Sequence, residues 1–306
     1  MTTLPFLTAD DIFERMNYLD AVRTLQRDLR SGLDPDADFE RGSVDLAQGK
    51  FLLMPSESSE FAGVKVLTVA AENPARGLPL IQGVYVLTDA ATLSPVALLD
   101  GAALTTLRTP AVSAAAADLL VPDDATRLVV FGSGPQALGH VEAMRSIRRL
   151  EHVTIVARNQ ERAASAAAAV RASGIVADVG TAEAIRDADV IVCATTATEP
   201  LFDGALVPDT ACVLAVGAHA ADAREVDSAL VARSQVVVES VPVALREAGD
   251  VMIPVAEGRL SPDALTGMRD LVTGAVPVDW SRPRIFKSTG MSWEDLSIAS
   301  ELYRRG

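Results

Sequence analysis

Near the start of the chain, apolar positions recur at helical spacing: Ile12, Met16, Leu19, Val22 and Leu25. Thr8 stands ahead of them as an N-cap, with Asp11 three residues on to complete a capping box. The polar, proline-containing stretch 31–40 reads as a loop. Residues 43–54 alternate weakly and predict two paired strands around Gln48-Gly49. Residues 61–69, 80–88 and 96–99 predict further strands, with Gly77-Leu78-Pro79 turning the chain. Asp100 is placed to cap a helix that begins near Ala102, is interrupted at Pro110 and resumes as an alanine-rich helix over 111–120.

Beyond the link Val121-Pro122-Asp123-Asp124 the pattern changes. A short apolar run, 128–131, meets Gly132-Ser133-Gly134-Pro135-Gln136-Ala137. An amphipathic segment follows, and a second apolar run covers 153–157. Helical stretches at 160–172 and 182–186 then alternate with strand-like runs at 176–179, 190–194, 211–216 and, last, 235–239. This alternation predicts an α/β fold on a doubly wound parallel sheet. The tail, 285–306, reads as a strand, then Lys287-Ser288-Thr289-Gly290, then a helix with Trp293, Leu296, Ile298, Ala299 and Leu302 as its apolar positions.

Strand, glycine turn, helix and strand within about 30 residues form the dinucleotide-binding βαβ (Rossmann) pattern, here as G-x-G-x-x-A. Gly132 allows the tight turn, Gly134 lets the backbone approach a pyrophosphate, and Ala137 keeps the helix close to the sheet. The amides at the helix start then face the anion. An acidic residue about 20 residues further on marks an NAD site. This chain has Ala157-Arg158-Asn159 instead, and a guanidinium pairs with a 2′-phosphate. NADP(H) is therefore the expected cofactor, with NAD(H) as the alternative. Ligands of such sheets bind beyond the carboxyl ends of the strands, which places Thr195, Thr196, Gly217, Ala218 and His219 near the cofactor by topology.

The length of 306 residues accommodates two modest domains, and 49% apolar with 22% charged residues fits a soluble globular protein. No apolar run approaches the ~20 residues of a membrane span, and the acid-bearing N-terminus does not read as a secretory signal. Cys193 and Cys212 lie in apolar runs, as buried reduced thiols of a cytoplasmic protein do. The net charge of −14 argues against nucleic acid or an anionic membrane as partner. His140, His152 and His219 show no metal-ligand spacing, so no metal is expected.

A few polar residues stand out against apolar surroundings. Lys65 lies in a run that is apolar on both faces, so it either snorkels to the surface or is buried for a purpose. Arg108 is the one charge in GAALTTLRTPAVSAAAA; it either faces solvent or clamps a carboxylate. Arg41, in a polar loop, defaults to a solvated face. His219 follows a strand end and either moves a proton near neutral pH or packs in the cofactor cleft. Lys287-Ser288-Thr289-Gly290 offers an ammonium and hydroxyls to an anion, or only a helix cap.

The segment GVKVLTVAAENPARGLPLIQGVYVLTDAATLSPVALLDGAALTTLRTPAVSA resembles the N-terminal domain of the ornithine cyclodeaminase/mu-crystallin family. FGSGPQA, VGAHAADAREVD and FKSTGMSWEDLSIASELY resemble its cofactor and C-terminal motifs, in the same order, so the resemblance covers nearly the whole chain. It implies an α+β substrate-binding and dimerisation domain, residues 1–118 plus 287–306, and a Rossmann domain, residues 119–286, with the substrate between them and a homodimer formed through the first. It further implies that Arg41, Lys65 and Arg108 hold a substrate carboxylate, and that Pro135, Gln136, Ser288 and Thr289 touch cofactor or substrate. Cys193, Val216, Ser288 and Arg108 join the glycine turn, Arg158, Asn159, Thr195, Gly217 and Ala218 as expected cofactor neighbours. Arg158-Asn159 is similar to the NADP-binding turn of mu-crystallins.

Two positions depart from the ornithine cyclodeaminases: His219 stands where they carry an acid/base aspartate, and Ala223 replaces a lysine. The expected activity is accordingly NAD(P)H-dependent reduction of an imino acid, a cyclic ketimine carboxylate, with Lys65 and His219 in catalytic roles. Conversion of ornithine to proline and ammonia is the alternative, and a cofactor-dependent small-ligand binder without turnover is a third reading.

Overall fold

A computed structural model of the protein describes residues 4–306; the first three residues of the acid-bearing N-terminus lie outside it. In chain order the elements begin β1 (Phe6–Leu7), α1 (Ala9–Arg15), α2 (Tyr18–Arg30), β2 (Gly42–Leu46), β3 (Gly49–Glu57), β4 (Phe61–Val69), β5 (Ile81–Asp89), β6 (Pro95–Asp100) and α3 (Gly101–Leu120). There follow β7 (Arg127–Phe131), α4 (Pro135–Ile147), β8 (His152–Val156), α5 (Gln160–Ala172), β9 (Val176–Val179), β10 (Val190–Cys193), β11 (Cys212–Ala215), α6 (Ser228–Arg233) and β12 (Gln235–Val238). The chain closes with α7 (Val241–Glu247), α8 (Gly249–Ala256), β13 (Leu265–Gly267), α9 (Met268–Thr273), β14 (Arg284–Lys287) and α10 (Ser292–Arg304).

Two compact units result. The first takes residues up to Asp28, Ala37–Thr109 and Met291–Gly306; the second takes Leu29–Asp36 and Pro110–Gly290. The divisions thus fall at 109/110 and 290/291, where the sequence suggested 118/119 and 286/287.

In the first unit, six strands run in the order β1-β6-β5-β4-β3-β2, antiparallel except for β1 beside β6. Alternation sorts the side chains. Met54, Lys65, Tyr85 and Leu99 form one row across four strands, and all are buried. α10 packs on β3, β4 and β5, and its residues 292–300 are buried all round. The other face of the sheet carries Leu53, Val66 and Val84, and Pro55, Val64 and Val86, only half-buried.

The second unit holds an eight-stranded sheet, all parallel, in the order β13-β12-β14-β11-β10-β7-β8-β9. Its central strands are buried on both faces, as doubly wound parallel sheets require. The α/β class read from the alternating pattern is the one observed.

Four local expectations are corrected. The first helical run is two helices, broken at Met16-Asn17, and Leu19 is exposed rather than core. Pro110 does not interrupt α3, which runs unbroken from Gly101 to Leu120. A proline removes one amide, and the carbonyl it leaves, Thr106 O, has the Tyr18 hydroxyl 3.5 Å away. Strand 235–239 is not the last of its sheet: β13 pairs beside β12, and β14 inserts between β11 and β12. At three residues β13 is too short to show a period, whereas β14 is the strand read at the start of the tail.

Candidate active site

The first unit folds its two singular cations into its interior. Phe61, Lys65 and Leu67 share the buried face of β4, so alternation alone carries the lysine inward. Lys65 Nζ lies 2.7 Å from Oδ2 and 2.9 Å from Oδ1 of Asp295, and 3.2 Å from Thr105 Oγ1. The Thr105 hydroxyl donates in turn to Gly101 O, leaving its oxygen to accept from the ammonium. Arg108, one turn beyond Thr105 on α3, places NH1 2.6 Å from Glu294 Oε2 and Nε 3.3 Å from Asp295 Oδ1. Two cations and two carboxylates thus form one buried cluster. Neither cation snorkels.

Burial and the neighbouring Arg108 charge bring the Lys65 ammonium down to about 8, while the Asp295 carboxylate works in the opposite direction. Around the cluster stand two further titratable groups. The Tyr85 hydroxyl, beside Lys65 across β4–β5, lies over Gly63, where a Cβ would come within 2.3 Å of it. Burial holds Tyr85 well above the ordinary phenol range. Asp38, raised by burial, accepts from Ser56 Oγ at 2.8 Å and from Trp293 N at 2.8 Å, pinning the start of α10. Arg41 is half-buried, one residue ahead of β2.

In the second unit the glycine turn has the geometry the spacing implies. Gly132 sits at φ +125°, and a Cβ there would meet Ala194 O at 2.5 Å. Gly134 is the N-cap of α4 and faces open space. No side chain caps that helix, Pro135 occupies its first turn, and the buried Oε1 of Gln136 has no partner among the described residues. Uncapped amides, room for an anion and an unanswered polar atom together fit a bound pyrophosphate. Beneath them Ala137 is fully buried, and His140 bonds Gln136 O at 2.7 Å and Ser113 Oγ at 3.0 Å. A carbonyl only accepts, so the His140 proton resides on Nδ1; burial brings this imidazole down to about 4.

Arg158 lies two residues past the end of β8, the strand beside β7. It is exposed and unpaired among the described residues. Asn159 caps α5 by accepting from Arg162 N at 2.9 Å. The ends of β10, β11, β14 and β12 bring Cys193, Thr195, Val216, Gly217, Ala218, Ser288 and Thr289 to the same edge of the sheet. The Cys193 thiol is pushed well up by burial and by Glu225. His219 is exposed, its Nδ1 3.1 Å from Gly217 O, which leaves Nε2 as the acceptor.

The acids that hold this end of the sheet together were not singled out from the sequence, and the Lys287 ammonium, read there as a contact for an anion, is spent on one of them. Glu225, fully buried and raised by desolvation, accepts from Thr195 N (2.9 Å), Thr195 Oγ1 (2.7 Å), Gly217 N (2.6 Å) and Ala218 N (3.2 Å). Asp250 Oδ1 takes the amides of Glu225 and Val226, and its Oδ2 lies 2.9 Å from Lys287 Nζ, which also donates to Ala218 O. Glu239 Oε2 accepts from the amides of Thr289 and Gly290. In the first unit Glu294 and Asp295 went equally unassigned. The available signal was a cation in an apolar run, which requires a carboxylate somewhere.

Among the described residues no helix is long and apolar enough to cross a membrane, and no group of His, Cys, Asp and Glu could hold a metal ion. The family model of the ornithine cyclodeaminase/mu-crystallin family matches residues 5–305. A Delta(1)-pyrroline-2-carboxylate reductase of Bacillus cereus is 36% identical over 278 residues, 87% of this chain and 85% of that protein. The ketimine reductase mu-crystallin of Rattus norvegicus is 33% identical over 313 residues, 97% of this chain and 96% of that protein. The solved Delta(1)-pyrroline-2-carboxylate reductase of Thermococcus litoralis, in complex with NADH and L-proline, superposes with a TM-score of 0.92 at 28% identity, covering 99% of this chain and 97% of that one. With a match over nearly its whole length, the chain belongs to the ornithine cyclodeaminase/mu-crystallin family.

Proposed function

We propose that the protein is a nicotinamide-dependent oxidoreductase of the C–N bonds of imino and amino acids, reducing a cyclic ketimine carboxylate with NADPH. The observation that carries the reading is the juxtaposition of Lys65 and Arg108, two buried cations that share Asp295, with Arg108 also paired to Glu294. A carboxylate beside an imine is the ligand such a receptor fits, and charge-assisted bonds from a guanidinium orient it. Arg41 is the third group assigned to that carboxylate. When bound, the nicotinamide supplies the hydride. The glycine turn and the amides of α4 hold its pyrophosphate, Arg158 meets the 2′-phosphate, and the strand-end residues Cys193, Thr195, Val216, Gly217, Ala218, Ser288 and Thr289 line its position. His219 Nε2 is available to orient water or exchange a proton. Here the chain departs from cyclodeamination, since an imidazole offers no fixed negative charge to an ornithine ammonium.

The half-buried valine face of the six-stranded sheet supports a homodimer in which two such faces meet. A charged substitution there, Val66→Glu, is expected to yield monomers by sedimentation.

The decisive assay offers purified protein and NADPH a panel of cyclic ketimine carboxylates and of α-keto acids with amines, following NADPH absorbance. Ornithine with catalytic NAD(P) is scored beside it for proline. Consumption of NADPH on a ketimine carboxylate is expected. Silence across the panel overturns the reading, and proline from ornithine replaces it.

A further inference from the structure

Lys65 and Arg108 pose a problem that their assignment to a substrate does not solve. Two cations side by side, away from water, repel each other, and the Arg108 charge bears on the Lys65 ammonium. Left alone, the lysine would shed its proton or the arginine would swing away. Asp295 answers both. Its two oxygens lie 2.9 and 2.7 Å from Lys65 Nζ, and the first of them also lies 3.3 Å from Arg108 Nε. Glu294, the preceding residue on α10, takes the Arg108 NH1 at 2.6 Å. Asp38, held by a bond from Ser56 Oγ, accepts from Trp293 N, so the helix start that carries both acids is itself anchored.

We infer that Asp295 is the positioning residue of the carboxylate receptor: it bridges Lys65 to Arg108, so that two mutually repelling cations present one aligned, charged surface to the substrate. The inference rests on the function proposed above for Lys65 and Arg108. Asp295 itself touches neither substrate nor cofactor in this account. It acts through the lysine, whose ammonium is held near 8 by the balance of burial and Arg108 against Asp295. The groups facing that ammonium are Thr105 and Arg108 from α3, Glu294 and Asp295 from α10 and, as its cross-strand neighbour, the neutral Tyr85 of β5, whose hydroxyl in turn feels the charges of Asp295 and Asp38.

The test does not require turnover. The chain has three lysines, Lys50, Lys65 and Lys287, so NMR of protein labelled at lysine Cε resolves each, and Lys65→Arg assigns the resonance. In Asp295→Asn the Lys65 midpoint should fall by about one to three pH units, the shift an adjacent opposite charge produces. With a ketimine carboxylate, the alkaline limb of kcat/KM should move down by the same amount, while the Kd for NADPH stays unchanged. An unmoved Lys65 titration overturns the inference whether or not the enzyme turns over. A moved Lys65 titration with no turnover by the parent enzyme leaves Asp295 as the bridge between Lys65 and Arg108 and overturns the proposed function instead. Should Asp295→Asn not fold, Asp295→Glu decides, because it keeps the charge and displaces it by a methylene. A shifted Lys65 resonance with raised KM and unchanged NADPH affinity supports the assignment, and a resonance and KM equal to the parent's overturn it.

Discussion

Each unit buries a lysine against an aspartate, Lys65 with Asp295 and Lys287 with Asp250, at 2.7 and 2.9 Å. The wiring differs. Lys287 also donates to a main-chain carbonyl, Ala218 O, and the other oxygen of Asp250 is spent on two backbone amides. Two buried arginines of the same unit follow this habit: Arg284 donates to the carbonyls of Leu120, Arg282, Asp209 and Thr210, and Arg148 to those of Pro122, Asp118, Val121 and Ile147. In the first unit Lys65 spends its donors on side chains, Asp295 and Thr105, and has a second cation beside it. A cation wired to backbone fixes loops. A cation wired to side chains, next to a like charge, retains the capacity to change partner or protonation. The first is a staple, and the second suits the receptor proposed above.

The comparison can be broken by mutation. Lys287→Met should cost about 3–5 kcal/mol in urea unfolding, because it leaves Asp250 charged and buried beneath two strand ends. Lys65→Met should cost less, since Asp295 keeps Arg108 and the repulsion is relieved. The reverse order would end the distinction. Acid should strike the second unit in a predictable window. His140 is held at about 4 against about 6.5 unfolded, so the unfolded chain binds the extra proton in between. Stability is full above pH 6.5 and declines by about 3 kcal/mol as pH falls to 4, and His140→Gln should flatten that limb in pH-resolved denaturation curves. Arg108→Ala should raise KM for the imino carboxylate by about a hundredfold while leaving the NADPH Kd nearly intact. Equal loss of cofactor affinity would move Arg108 to the other ligand. The smallest effect belongs to Arg158→Ala, about tenfold in KM for NADPH with NADH unaffected, measured by initial rates. A parent enzyme that prefers NADH would remove that assignment.

The first half of the second unit was legible in sequence. Over 127–216 its strands and helices alternate, so α5 and β9 are read to the residue and the glycine turn announces its own geometry, whereas α6, α7, α8, β13 and α9 were not read. In the first unit Lys65 was conspicuous because Leu67 and Val69 share its face and Val64 and Val66 occupy the other. Its partner was not, because Asp295 lies 230 residues further on and a helix buried on all sides shows no polar stripe. Glu225 stayed hidden for another reason. Its partners include the amides of Thr195, Gly217 and Ala218, and a backbone amide looks the same at every position of a sequence.

The split composition of the first unit has a consequence for the order in which the protein acquires its shape. On the ribosome, β4 and α3 emerge early, carrying Lys65 and Arg108, while the carboxylates that neutralise them are added only after the whole of 110–290. Until then the core around the two cations cannot close without stranding charge away from water. The eight-stranded sheet has no such debt to later residues. The part of the protein that is born first is therefore finished last, and a released chain truncated after Gly290 should present a folded second unit while the first stays open.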